Sequence, residues 1–198
     1  FHGRSGYTMS LTNTDPVKIK YFPKFDWPRI INPSIKFPLN EDNLNEVISM
    51  ENLALENINQ SLNENKHEIA AIIIEPIQGE GGDNHFRDEF FISLRDICDE
   101  NDILLIMDEV QTGIGITGKM WCHEHNSINP DIISFGKKTQ VCGLLAGNKL
   151  DEIDDHVFKK SSRINSTFGG NLVDMIRFKI ILEVIKKDNL LNKAASNG

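Results

Sequence analysis

Cysteine is scarce in this chain: three in 198 residues, at positions 98, 122 and 142. They are odd in number, widely spaced and form no Cys-x-x-Cys pair. That excludes a disulfide framework and a zinc knuckle, and it points to a reducing compartment, the cytoplasm. Positive charge is also short. Lys and Arg total 21 against 29 Asp and Glu, a formal net charge of −8, so the clustered cations of a nucleic-acid groove are missing. No long apolar run is present. The longest purely aliphatic stretch, Ile69 to Ile74, is strand-sized and far below the roughly 20 residues of a membrane span. His2, His67, His85, His123, His125 and His156 show no ligand spacing, and no metal is expected. No secretory signal is expected either. Phe1 to Arg4 and Ala194 to Gly198 read as interior stretches of a longer chain. What remains is an ordinary globular composition, 39% hydrophobic and 25% charged, with enough chain for one core.

The patterning predicts an α/β fold. Pro16, Pro23, Pro28, Pro33 and Pro38 exclude a long helix before residue 42 and suggest loop and short strand. Asn43 is expected to cap an amphipathic helix with Leu44, Val47, Ile48, Leu55, Ile58 and Leu62 on one face. Ile69 to Glu75 reads as a buried strand followed by the glycine-rich segment Gln78 to Asp83. Asp88 opens a second helix, with Phe90, Phe91, Leu94, Ile97 and Cys98 inward. Further strands are expected at 103–108, 131–135 and 144–148. A long helix is expected over 171–187, with Leu172, Met175, Ile176, Ile180, Val184 and Ile185 inward. Strand, helix, strand, short helix, strand is the order of a doubly wound sheet.

The 103–108 strand carries the most information. A continuous apolar run, Ile103 to Met107, ends in Asp108-Glu109, with Gln111 and Gly113 following. Polar residues there fall at a carboxyl strand end, where open α/β sheets bind ligands. Three chemistries fit an acidic strand end. A Walker B strand needs a phosphate loop, and Gly136-Lys137-Lys138-Thr139 lacks the upstream glycine and lies on the wrong side of the acidic strand. A metal site from Glu75, Glu80, Asp83 and Asp108 lacks the tight spacing of known sites. The third pairs Asp108 with Lys137, which follows the next strand. Pyridoxal phosphate needs that pair: an amine to hold the cofactor as a Schiff base, and a carboxylate to keep the pyridine nitrogen protonated.

Glu75 to Gly82 (EPIQGEGG), Asp108 to Gly113 (DEVQTG) and Phe135 to Lys138 (FGKK) resemble the motifs of class III, subgroup II aminotransferases of fold type I. The resemblance runs along the whole chain. Residues 1–7 (FHGRSGY), 24–28 (KFDWP), 82–86 (GDNHF), 137–143 (KKTQVCG) and 161–171 (SSRINSTFGGN) resemble its lysine 6-aminotransferase branch. The 4-aminobutyrate aminotransferases are the close alternative. An inactive fragment or scaffold is the alternative outside the enzymes.

The resemblance implies a partial large domain over 1–187, with a mixed, mostly parallel sheet flanked by helices. Residues 188–198 would begin the connection to a small C-terminal domain. It implies pyridoxal 5'-phosphate as cofactor, with L-lysine and 2-oxoglutarate as substrates. Lys137 resembles the Schiff-base lysine, with Lys138 the competing candidate. Asp108 resembles the partner of the pyridine nitrogen, Gln111 the residue beside the phenolic oxygen, and Phe1 the aromatic stacked on the ring. Thr167 resembles the hydroxyl that binds the cofactor phosphate of a neighbouring subunit, which implies a homodimer. Arg4 and Glu80 resemble the substrate-handling residues, Arg4 for the lysine α-carboxylate and Glu80 as partner of a pocket arginine. Glu109 reads as structural.

Overall fold

The computed structural model describes residues 1–198, which divide into two units, Phe1–Ile103 and Leu104–Gly198.

The first unit opens with a short helix, α1 (Gly6–Leu11), where loop and strand are expected. Residues 6–11 are free of proline, and the Ser5 N–H donates to Thr8 Oγ1 at 3.1 Å, which caps the turn locally. A 3-10 turn follows at Pro16–Lys18, capped by Asp15. The prolines do exclude a long helix, but no strand forms before residue 42.

Helix α2 spans Glu41–Glu64, and its cap is Asn40 in place of the expected Asn43. The Asn40 carboxamide oxygen accepts the N–H of Asn43 at 2.9 Å, the third helical position, so Asn43 is the capped residue. Glu41 and Asp42 add negative charge where the helix dipole favours it. The buried face runs through Val47, Glu51, Ala54 and Ile58. Glu51 belongs there because Arg87 grips it with two N–H···O bonds of 2.9 Å each. The pairing raises the guanidinium's pKa above its ordinary value, against the opposing effect of burial. Glu51→Ala strands a largely buried guanidinium. It is expected to cost about 3 kcal/mol in urea unfolding, whereas a single exposed pair such as Lys36–Glu46 is worth well under about 1 kcal/mol.

Strand β1 (Ala71–Ile74) is shorter and less buried than expected: only Ile74 is fully covered, followed by the buried Glu75. Helix α3 (Asp88–Glu100) follows Arg87, whose side chain makes no cap bond, and buries Phe90, Phe91, Leu94 and Cys98. Phe86, Phe90 and Phe91 pack as an aromatic triangle with centroids 5.7–6.3 Å apart.

In the second unit, β2 (Leu104–Asp108) lies parallel to β3 (Ile132–Phe135), in the register Ile106↔Ile132, Met107↔Ile133, Asp108↔Ser134. Leu105 and Met107 are wholly buried. Asp131 locks the other end of the pair: its carboxylate accepts the Leu105 N–H at 2.8 Å and its own N–H donates to Leu105 O at 2.9 Å. Strand β4 (Gly143–Ala146) runs antiparallel to β3, so this sheet is mixed.

Helix α4 (Leu172–Lys187), capped by Asn171, corrects one expectation. Leu172, Met175, Ile176, Ile180 and Val184 are exposed, and no residue of the helix is fully buried. The covered stripe is Asp174, Phe178, Ile181, Leu182 and Ile185, all half-buried. Apolar residues surround this helix, so periodicity selects no unique face. The choice is made by Phe178, which stacks on Phe135 at 5.4 Å. Helix α5 (Leu190–Asn197) lays Leu191 and Ala195 against Gly115 and Gly118, where φ of +91° and +88° and the missing Cβ make room. No helix is long and apolar enough to cross a membrane.

Candidate active site

Asp108 ends β2 and is 5% exposed. Its Oδ1 accepts the Ser134 hydroxyl at 2.9 Å and the Val110 N–H at 3.1 Å. Both donors follow from the fold. Ser134 is its parallel-register partner on β3, and Val110 lies two residues on, where the chain leaves the strand. A carboxylate held in this way is fixed in direction.

Lys137 lies in the turn that joins β3 to β4, two residues beyond Phe135. The carboxyl ends of two paired strands therefore carry the acid and the amine, as expected. Neither Lys137 nor Lys138 is on a strand, so the alternation of a strand does not separate them. Lys137 is exposed and Lys138 half-buried. Burial, and then the charge of Lys137, holds the Lys138 amine below the usual lysine range. Gln111 is half-buried in the turn after β2. Ile114 follows at φ 62°, a left-handed conformation rare for a β-branched residue, and its N–H reaches Met120 O at 2.7 Å. Thr167 lies in an exposed run, residues 161–170.

Glu109, beside Asp108, is 1% exposed and points away into protein. Its carboxylate accepts the N–H of Cys122 at 2.6 Å and of His123 at 2.9 Å, and it contacts His123 Nδ1 at 2.7 Å. It thereby anchors the 3-10 turn Cys122–His125. This agrees with the structural reading of Glu109, but His123 is a partner that no sequence spacing announces. Burial, and then the charge of Glu109, pushes the Cys122 thiol up to about 12. The sign follows. Above the ordinary thiol range the unfolded chain releases a proton that the folded chain still holds, so stability falls as pH rises toward 12. Replacing Cys122 by Ala is expected to flatten that alkaline loss in melts taken across pH 8 to 11.

The first unit holds the remaining residues. Phe1 is half-buried, and Lys18 Nζ sits 5.8 Å from its ring centroid. Glu80, at the tip of the Gln78–Asn84 loop, forms its ion pair with Lys18, a residue the sequence reading passed over. That loop is closed by paired backbone bonds between Gln78 and Asn84 at 3.0 and 3.2 Å. Arg4 is exposed and is not joined to Glu80. No group of three or more His, Cys, Asp or Glu side chains is placed to hold a metal ion.

The family model for class-III aminotransferases matches residues 1–198, the full length of the chain. The chain belongs to that family. The L-lysine-epsilon aminotransferase of Mycobacterium tuberculosis H37Rv is 52% identical over 198 residues, covering 100% of this chain and 43% of that protein. The enzyme of the same description from Streptomyces clavuligerus is 48% identical over 199 residues, with 100% and 43% coverage. A 4-aminobutyrate aminotransferase of Emericella nidulans is 38% identical, covering 100% of this chain and 39% of its own. The solved structure of M. tuberculosis lysine aminotransferase in the internal aldimine form superposes with a TM-score of 0.94 at 52% identity. It covers 100% of this chain and 45% of that one. The mixed sheet flanked by helices is thus the fold of that aminotransferase structure. The chain spans less than half the length of the curated relatives it matches.

Proposed function

We propose that the full-length protein to which these residues belong is a pyridoxal 5'-phosphate-dependent aminotransferase. It would move the ε-amino group of L-lysine to 2-oxoglutarate, giving 2-aminoadipate 6-semialdehyde and glutamate. The observation that carries the reading is Asp108, a buried carboxylate aimed by Ser134 and Val110 at a strand end whose neighbour leads into Lys137. The donor set fits the cofactor: one fixed acid, one amine on the adjoining turn, and a half-buried amide at Gln111.

When bound, the group supplies an electron sink for the carbanion formed at the substrate carbon. Asp108 would face the ring nitrogen and keep it protonated. Lys137 would hold the group through its amine, and that amine would be the base at the substrate carbon. Gln111 would donate to the phenolic oxygen, and Phe1 would supply the aromatic for the ring face. Arg4 grips the lysine α-carboxylate through two parallel bonds, which its fork geometry suits. Glu80 trades its ion-pair partner between the two half-reactions, and its pairing with Lys18 supports a carboxylate that does not stand alone. Thr167 would bind the cofactor phosphate of a second subunit, which would make the working form a homodimer. Its place in a wholly exposed run supports that role. The reduced cysteines support a cytoplasmic location.

Lysine is favoured as donor because the L-lysine-epsilon aminotransferases are 48–52% identical to this chain, against 36–38% for the 4-aminobutyrate enzymes. The second reading, 4-aminobutyrate as donor, draws on those same relatives, which align along the whole chain. The two readings separate in one assay of the full-length protein with 2-oxoglutarate. A higher kcat/KM for L-lysine is expected, a preference for 4-aminobutyrate overturns it, and no transfer from either donor favours a scaffold.

A further inference from the structure

Two lysines stand side by side at 137 and 138, and a covalent link to a cofactor takes one of them. A strand would separate them by alternation, but β3 ends at Phe135 and both lie in the turn that leads to β4. The choice therefore belongs to the turn itself.

Thr139 sits at its centre and is wholly buried. Its N–H donates to Gly136 O at 3.1 Å. Its hydroxyl oxygen lies 2.8 Å from the same carbonyl and 2.7 Å from Val141 O. A hydroxyl carries one proton, so it donates to one carbonyl at a time, but both ends of the turn are drawn to this single side chain. The rest of the turn closes around it. Gln140 takes a left-handed φ of 53° and Val141 is buried. Cys142 Sγ comes within 3.0 Å of the place a Cβ would take on Gly136. Beyond it, Phe135 pairs with Gly143, where a Cβ would meet the ring at 2.5 Å. The outcome is a closed turn whose two lysines face different surroundings, Lys137 outward and Lys138 half-buried.

We propose that Thr139 is a positioning residue that selects Lys137 over Lys138 for cofactor attachment, by pinning the carbonyls of Gly136 and Val141 across the two lysines. This rests on the functional reading above. Thr139→Val keeps the shape and removes the hydroxyl, leaving Val141 O without this donor. Thr139→Ser keeps the donor.

The test uses the full-length protein loaded with pyridoxal phosphate and reduced with borohydride. The amine has displaced the aldehyde oxygen as water, and hydride from borohydride reduces the resulting C=N bond to a stable secondary amine. Peptide mass mapping then reports which lysine is labelled. In the wild type the label is expected on Lys137. In Thr139→Val, the ratio of Lys138 to Lys137 label is expected to rise about tenfold or more, equivalent to about 1.4 kcal/mol. The pH midpoint of the visible absorption band is expected to move with it, and Thr139→Ser is expected to restore both. Label confined to Lys137 in Thr139→Val, with the wild-type midpoint, overturns the inference. Should the valine variant fail to fold, Thr139→Ala makes the same comparison. Failure of both to fold also overturns it, since the hydroxyl would then serve the fold and not the choice. A wild type labelled at neither lysine overturns the functional reading instead.

Discussion

Lys137→Ala in the full-length protein is expected to lower aminotransferase turnover by about 10³-fold or more and to remove the visible absorption band of the linked cofactor. On the proposed function two contributions would be lost together: the amine that would hold the cofactor and the base that would move the proton. Nothing nearby replaces either. Lys138 is half-buried in the same turn, and its charged form is already disfavoured by burial and by its neighbour. The companion result is therefore that Lys138→Ala retains the band and stays within about tenfold of wild-type turnover, a change of no more than about 1.4 kcal/mol in the barrier. Absorbance between pH 6 and 9, together with steady-state rates, checks both variants. A band lost in Lys138→Ala and kept in Lys137→Ala would reverse the assignment. The contrast is informative because composition alone treats the two residues as equivalent.

The largest effect on stability is expected at Glu109, not at Asp108. Glu109→Ala removes the acceptor of two backbone N–H groups, those of Cys122 and His123, and the partner of the His123 ring nitrogen. All are buried, so water does not take the carboxylate's place. Each orphaned donor costs about 1–3 kcal/mol, and the variant is expected to lose roughly 3–5 kcal/mol in denaturant unfolding. Glu109→Gln keeps an acceptor oxygen but turns an amide donor toward neighbouring donors, so an intermediate loss is expected. A second readout tells the lost charge from a general loosening. Because the Glu109 charge helps raise the Cys122 thiol, Glu109→Gln is expected to bring the alkaline transition assigned to that thiol to lower pH. Burial, the larger cause, keeps it above the ordinary thiol range. An unchanged transition with full stability would remove Glu109 from this role.

Local signals made much of the fold legible. The faces of α2 and α3 repeat at helical spacing, and the apolar runs before Asp108 and Phe135 have strand length with turn residues after them. Those signals placed an acid and an amine at successive strand ends before any pairing was known. They were less reliable where two choices look alike to a short window. Asn40 and Asn43 are both good caps, and only the N–H that Asn40 accepts tells them apart. Residues 6–11 were hidden among prolines that lie outside them.

What the amino-acid order determined by itself is the set of elements and the family motifs, because helix and strand periodicity and turn chemistry are properties of neighbours in the chain. What only the tertiary structure decided is which partner each polar or ambiguous group meets. Glu80 pairs with Lys18, Glu109 with His123, Asp108 with Ser134, and α4 turns Phe178 to Phe135 while Leu172, Met175, Ile176, Ile180 and Val184 stay exposed. The residues in each of these pairs are between 14 and 62 positions apart. Their meeting depends on sheet register and loop closure, which bring distant groups together without leaving a repeat in the sequence.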